Sequence, residues 1–310
     1  MLLAKLIFFL AVLFLLSPFG SPAVALAIGF VIALTLGNPF PDLSGKPAKY
    51  LLQSSVALLG FGMNLGAVYE SGKGGILFII AVVFGALMLG AVLGVLLKIP
   101  SRVRTLISCG TAICGGSAIV AVGPAIKAEN DEMSVSLGTI FILNAIALFL
   151  FPIVGNGLEM SQAQFGMWAA IAIQDTSSVV GAATVFGQES LATATTVKLA
   201  RTLWIIPLAL ALAVIYKDGS GRAKIAVPWF VFFFVGAAAV RTFAPLWVFP
   251  SVFDSLVNLA KAGLTITLFL IGLGLSRAML KSVGWRPFAL GTILWVIVAT
   301  IALGSVLRFV

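Results

Sequence analysis

Ile113-Cys-Gly-Gly-Ser-Ala-Ile-Val-Ala-Val122 can be laid on Ile173-Gln-Asp-Thr-Ser-Ser-Val-Val-Gly-Ala182. Each run puts small and polar residues into the middle of an otherwise apolar stretch, 103–128 in the first case and 163–187 in the second. Backbone released from a helix inside a bilayer must line a polar cavity or be buried in protein, because lipid satisfies neither its N–H nor its C=O groups. Two such interruptions, similar to each other, mark a fold built from repeats with its site at broken helices. Chance similarity among apolar segments of low complexity is the competing explanation. A second pair, Leu58–Leu65 and Leu268–Leu275, shows the same kind of resemblance before a turn and another span.

The bilayer is supplied by composition. Of 310 residues, 61% are hydrophobic and 9% charged, whereas a soluble domain is about a quarter charged. Mean hydropathy is +1.18. There is too little polar surface to cover a water-soluble body of this size, which excludes cytosolic enzymes, secreted disulfide domains and disordered tails. The chain has no histidine, so imidazole catalysis, imidazole metal sites and imidazole proton relays are excluded. Its two cysteines, Cys109 and Cys114, suit free thiols. No cofactor and no bound metal are expected. The net charge of +9 is a topology signal; no basic run with interleaved aromatics points to nucleic acid.

Apolar windows against a requirement of about 20 residues give spans at 3–17, 21–37, 48–68, 74–97, 133–152, 190–216, 224–241, 251–275 and 286–308, besides the two interrupted segments. Lys5, then an apolar run ending near Leu16, then Ser21-Pro-Ala-Val-Ala25 together have the outline of a cleavable signal peptide. Because another apolar segment follows at once, it is read as retained. The expected fold is an all-α polytopic membrane protein with about nine to eleven transmembrane segments, two of them interrupted or re-entrant, arranged as an inverted repeat. Connections are short, so 1–310 is read as a single transmembrane domain. If all eleven segments cross, twelve basic residues lie on the face that holds the N-terminus and four on the other. The N-terminus is therefore expected in the cytoplasm.

Parity constrains the interrupted pair. One span lies between them, so if both cross they run the same way and cannot be inverted copies. If both are re-entrant hairpins they enter from opposite faces, and Lys127 moves to the cytoplasmic side. Both readings stay open in the sequence.

Gly115, Gly116 and Ser117 free one turn, and Asp175, Thr176, Ser177 and Ser178 free the other. Half-helix N-termini carry partial positive charge and unpaired donors, which suits an anion. The plainer alternative is that the glycines serve packing and that Asp175 is only an N-cap. Lys198 and Arg201 lie in the span that begins near Ser190, about 12 and 16 Å deep, where an unpaired cation costs roughly 2.5–3.5 kcal/mol. Spaced i and i+3, they share a helix face with Thr195 and Thr202. Snorkelling to the interface is the alternative for both. Asp175 is the internal counter-charge or a coupling carboxylate, and Asn144 lines the cavity or bonds a neighbouring helix. The run Lys127–Glu132 reads as a solvated connection.

Thr111-Ala-Ile-Cys-Gly-Gly-Ser-Ala-Ile119, Ile173-Gln-Asp-Thr176, Val197-Lys-Leu-Ala-Arg201 and Leu273-Gly-Leu275 together resemble the YeiH-like bacterial inner-membrane proteins, a family labelled as sulfate exporters. The resemblance runs over nearly the whole length. It implies a distant similarity to cation/proton antiporter and bile-acid symporter folds, with inverted repeats and elevator-like movement. The chain departs from the family at Gln174, where the family has His, which removes an imidazole from any proton coupling.

The expected function is a secondary transporter for a small anion: sulfate, a sulfonate or a carboxylate. The binding residues expected are Cys114, Gly115, Gly116, Ser117, Asp175, Thr176, Ser177, Ser178, Lys198 and Arg201, with Asp175 and Asn144 as coupling candidates. No ATP-binding loop is present, so an ion gradient or the substrate's own gradient drives transport. The expected partners are the anion, membrane lipid and a coupling Na+ or H+. A homodimer would accompany elevator movement, although the sequence carries no dimer signature. A passive anion channel, or a Na+- or H+-coupled transporter of a non-anionic substrate, is the alternative. An enzyme is not expected, since neither paired membrane carboxylates nor a serine with a base is evident.

Overall fold

The computed structural model describes residues 2–17, 20, 22–63, 65–66, 76–215, 229–243, 250–274 and 283–310. Among these the chain is all-helical. In order the helices are α1 (Leu2–Leu15), α2 (Pro22–Thr35), α3 (Lys46–Leu59), α4 (Ile76–Leu96), α5 (Ser101–Ala112), α6 (Gly116–Ala125) and α7 (Asn130–Gly157). There follow α8 (Gln162–Ala172), α9 (Thr176–Phe186), α10 (Gln188–Thr202), α11 (Ile205–Ile215), α12 (Trp229–Phe243), α13 (Pro250–Gly274) and α14 (Trp285–Phe309). Among the described residues, four stretches are long and apolar enough to cross a bilayer: Asp131–Gly157, Gln188–Leu212, Ser251–Gly274 and Trp285–Phe309. Large apolar side chains such as Met88, Ile153, Phe233 and Leu13 are exposed while Lys198, Arg201, Gln174 and Asn144 are buried. That is the distribution of a protein whose solvent is lipid.

The chain divides into two compact units, Met1–Ser71 with Trp229–Arg277, and Gly72–Pro228 with Ala278–Val310. In the first unit α13 packs on α2 and α3, and α12 on α3. The closest approach is reciprocal. A Cβ on Gly29 would strike the carbonyl oxygen of Phe269, and one on Gly272 the carbonyl oxygen of Leu26, so α2 and α13 touch backbone to backbone. The helices expected at 3–17, 21–37 and 48–68 are shorter than those spans. α2 stops before Gly37, whose φ of 79° ends it. α3 stops at Leu59, where Gly60–Gly62 forms a 3-10 turn and Met63 is extended. Leu268–Gly274, by contrast, stays helical within α13, so the two runs paired in the sequence differ in shape. Asn64 and Leu275 of those runs lie outside the described residues. So do the ends of several expected spans and the topology residues Lys73, Lys217, Arg222, Lys224, Arg277 and Lys281.

The second unit settles the parity question. α5 and α6 fold back on each other instead of continuing. Arg102, at the start of α5, lies 3.9 Å from Glu129 and 3.8 Å from Glu132, just beyond α6. α8 and α9 do the same. The Gln162 side chain at the start of α8 accepts from the Glu189 N–H beyond α9, at 3.1 Å. Residues 101–125 and 162–186 are therefore two re-entrant helical hairpins. Each arm has 10 to 12 residues, about 15–18 Å at 1.5 Å per residue, so each hairpin reaches the middle of a 30 Å core and returns.

Between them runs α7, 28 residues long and about 42 Å. Its first turns lie at the base of hairpin 1, where a Cβ on Gly123 would meet Met133 at 2.8 Å. Its end lies at the base of hairpin 2, where Gly155 faces Phe165 and Phe186, whose rings stack with centroids 3.8 Å apart. The hairpins thus enter from opposite ends of the unit. α10 then leaves the base of hairpin 2, and α11 packs Leu208 and Leu212 on hairpin 1 against Leu106, Ile119 and Val122. The helix is interrupted at Leu203 and Trp204, just before Pro207. α14 completes the unit, accepting a hydrogen bond from Trp168 Nε1 at Ala299 O (2.9 Å), with α4 packed on α5 and α14.

Candidate functional site

The hairpin tips meet. Ile113 is the C-cap of α5 and Gly115 the N-cap of α6; Ile173 is the C-cap of α8 and Asp175 the N-cap of α9. The overlay of Ile113–Val122 on Ile173–Ala182 therefore holds residue by residue. The two turns are made differently. Gly115 has φ 66° and ψ −127°, a conformation that favours glycine, and a Cβ there would lie 3.3 Å from Asp175 Cα. Asp175 is extended, and its Oδ2 accepts from the N–H groups of Ser177 (3.1 Å) and Ser178 (3.4 Å) and from the Ser177 hydroxyl. Its own carboxylate thus occupies the positive end of α9, whereas no side chain caps α6.

The negative ends of the two inward arms are answered by α10. Arg201 donates from Nε to Ala112 O (2.6 Å), from Nη2 to Thr111 O (2.7 Å) and from Nη1 to Ile171 O. Lys198 donates from Nζ to Ile173 O (2.7 Å) and Ala170 O (3.5 Å). A helix C-terminus leaves carbonyls without intrahelical partners and carries partial negative charge, so a fully buried cation at each arm satisfies both demands. Arg201 holds both hairpins at once. Among the described residues neither cation forms an ion pair with Asp175.

Two amides complete the contact. Asn144, midway along α7, accepts at Oδ1 from Gln174 N (3.0 Å) and Asp175 N (3.1 Å). Gln174 Nε2 donates to Thr111 Oγ1 (3.0 Å), joining tip to tip. Asn144 Nδ2 and Gln174 Oε1 are buried without a hydrogen-bond partner. Of the residues expected to bind, Cys114, Gly115, Gly116, Thr176, Ser177, Ser178, Lys198 and Arg201 are buried around the tips, Asp175 is half-buried and Ser117 is exposed. Thr195 Oγ1, on the same face of α10, has no partner. No side-chain pattern in the sequence marks the carbonyls of Thr111, Ala112, Ile171 and Ile173 as acceptors, or Gln174 and Thr111 as links. The usable signal was electrostatic: a re-entrant helix ending at mid-depth needs a cation there, and α10 carries two.

Two opposed re-entrant hairpins and several apolar crossings, with polar and charged side chains inside, define a multi-pass membrane protein. The chain belongs to the family described as Conserved hypothetical protein 698, which it matches over residues 1–291. It is 51% identical over 284 residues to a UPF0324 membrane protein of Bacteroides thetaiotaomicron, covering 91% of this chain and 85% of that one. It is 48% identical over 294 residues to a UPF0324 membrane protein of Porphyromonas gingivalis (94% and 89%), and 45% identical over 299 residues to one of Vibrio parahaemolyticus (96% and 96%). No solved structure matches the chain.

Proposed function

We propose that the protein is a secondary transporter for a small anion (sulfate, a sulfonate or a carboxylate) in the bacterial inner membrane, with its N-terminus in the cytoplasm, and not an enzyme. The observation that carries this reading is the meeting of two hairpin tips from opposite ends of the unit at Gly115 and Asp175. Hairpin 1 with α7, and hairpin 2 with α10 and α11, are read as the two halves of an inverted repeat, an arrangement suited to alternating access from the two faces and to elevator-like movement. Charge supports an anion. Lys198 and Arg201 against Asp175 leave one formal positive charge at the tips, and the uncapped N-terminus of α6 adds partial positive charge and N–H donors beside exposed Ser117. Lys198 and Arg201 act here as positioning residues that hold the tips, while Ser117 and the α6 N-terminus face the substrate.

The test is counterflow of sulfate, methanesulfonate and acetate in proteoliposomes. Saturable exchange of at least one anion, accelerated by the same anion on the far side, is expected. Flux that rises linearly with concentration and shows no trans-acceleration would identify a channel instead. No flux of any anion would overturn the reading.

A further inference from the structure

In the first unit, an open groove of about 660 Å³ runs between α3 and α12. Its lining includes Tyr50, Ala57, Phe61, Trp229, Phe233 and Gly236. The two helices run in the same direction, since Gly60 abuts Phe234 and Leu65 N donates to Thr242 Oγ1. Tyr50 and Trp229 consequently share one end of the groove, with Phe61 and Val240 at the other. From Tyr50 to Phe61 is about 16 Å of helix, half of a 30 Å hydrocarbon core and the depth of one leaflet.

The ends differ in chemistry. Upstream of Tyr50 the groove-lining stripe of α3 continues, at helical spacing, through exposed Lys49 and Lys46. Tyr and Trp with an adjoining lysine pair are the side chains that sit at headgroup level, whereas the residues that line the groove at its far end, Phe61 and Val240, are apolar. The geometry points to a binding site for one anionic phospholipid: an acyl chain in the groove and the headgroup phosphate on Lys46 and Lys49. Charge complementarity selects this occupant, because a second copy of the chain would bring another lysine pair of the same sign. The site does not depend on the transport reading.

Native mass spectrometry of the delipidated protein, titrated with dioleoylphosphatidylglycerol or dioleoylphosphatidylcholine, tests it. One phosphatidylglycerol is expected to bind per chain, with a preference of about tenfold or more over phosphatidylcholine, as two lysines near a surface give. Lys46→Gln with Lys49→Gln should remove the preference. Gly236→Leu should remove binding of both lipids, and it is tolerated by the fold because nothing lies within 4 Å of a Cβ at that position. Phosphatidylglycerol binding unchanged in both variants would overturn the proposal. So would a dimer in the native protein that Gly236→Leu dissolves, which would assign the groove to a second copy.

Discussion

Arg201 is the side chain whose removal should cost most. Three of its nitrogens meet three carbonyls on two hairpins, and each buried carbonyl left unpaired costs about 1–3 kcal/mol. Arg201→Ala is expected to destabilise the protein by roughly 3–5 kcal/mol, read as a lower unfolding midpoint in a denaturant titration in detergent. Arg201→Lys keeps the charge but loses the fork that spans both tips, so it should recover only part of the loss. Equal stability of native protein and Arg201→Ala would show that the carbonyls find other partners. Asn144 permits a finer test. Its Oδ1 is fixed as the acceptor by two backbone N–H groups, so Asn144→Asp keeps that structural half, removes the unpartnered N–H donors and adds a negative charge in their place. The variant is expected to fold like the native chain and to exchange anions several-fold more slowly, with the deficit shrinking at lower pH as the new carboxyl regains a proton. A pH profile identical to that of the native chain would leave Asn144 with a purely structural role.

At the scale of elements, the hairpins explain why the inward arms are short and why cations sit at mid-depth. Gly115 is the tightest point. Alanine there would have to adopt φ 66° and press its methyl against Ile140 at 3.2 Å and Asp175 at 3.3 Å, so Gly115→Ala should cost about 1–3 kcal/mol and slow exchange more than Gly157→Ala, where a Cβ meets nothing. Both are measured by the same denaturant titration and counterflow. Much of this architecture was legible beforehand. The two interruptions, their register and the burial of Lys198 and Arg201 follow from small and polar residues set in apolar runs. The choice between crossing and hairpin was not legible, because it depends on contacts such as Arg102 with Glu129 and Gln162 with Glu189, which lie 27 positions apart in the chain. The role of the two cations was hidden for a related reason. Their partners are backbone carbonyls, which every residue has, so no side-chain pattern announces them. The failed pairing of Leu58–Leu65 with Leu268–Leu275 shows the reverse, since similar apolar letters make a 3-10 turn in one place and a continuous helix in the other.

At the scale of the whole molecule, the hairpins give the charge count a new form. The base of hairpin 1 carries Lys98, Arg102, Arg104 and Lys127, whereas residues 157–189, around the base of hairpin 2, contain Glu159 and Glu189 and no basic residue. Short loops rich in Lys and Arg stay in the cytoplasm, so hairpin 1 should open towards the cytoplasm and hairpin 2 towards the opposite face. The two native cysteines are buried, which makes single introduced cysteines readable. In a Cys109→Ser, Cys114→Ser background, Glu159→Cys and Glu189→Cys should react with an impermeant maleimide added to spheroplasts. Lys127→Cys and Glu129→Cys should react only in inverted vesicles. The distribution also tests the hairpins themselves. If 101–125 crossed the membrane, Lys98→Cys and Glu129→Cys would label from opposite sides; as a hairpin, both label from one. Labelling of Lys127→Cys and Glu129→Cys from the outside, with Glu159→Cys and Glu189→Cys labelled only in inverted vesicles, would reverse the assigned orientation but leave the hairpins standing, because their evidence is the contact between the two ends of each arm pair and not the charge.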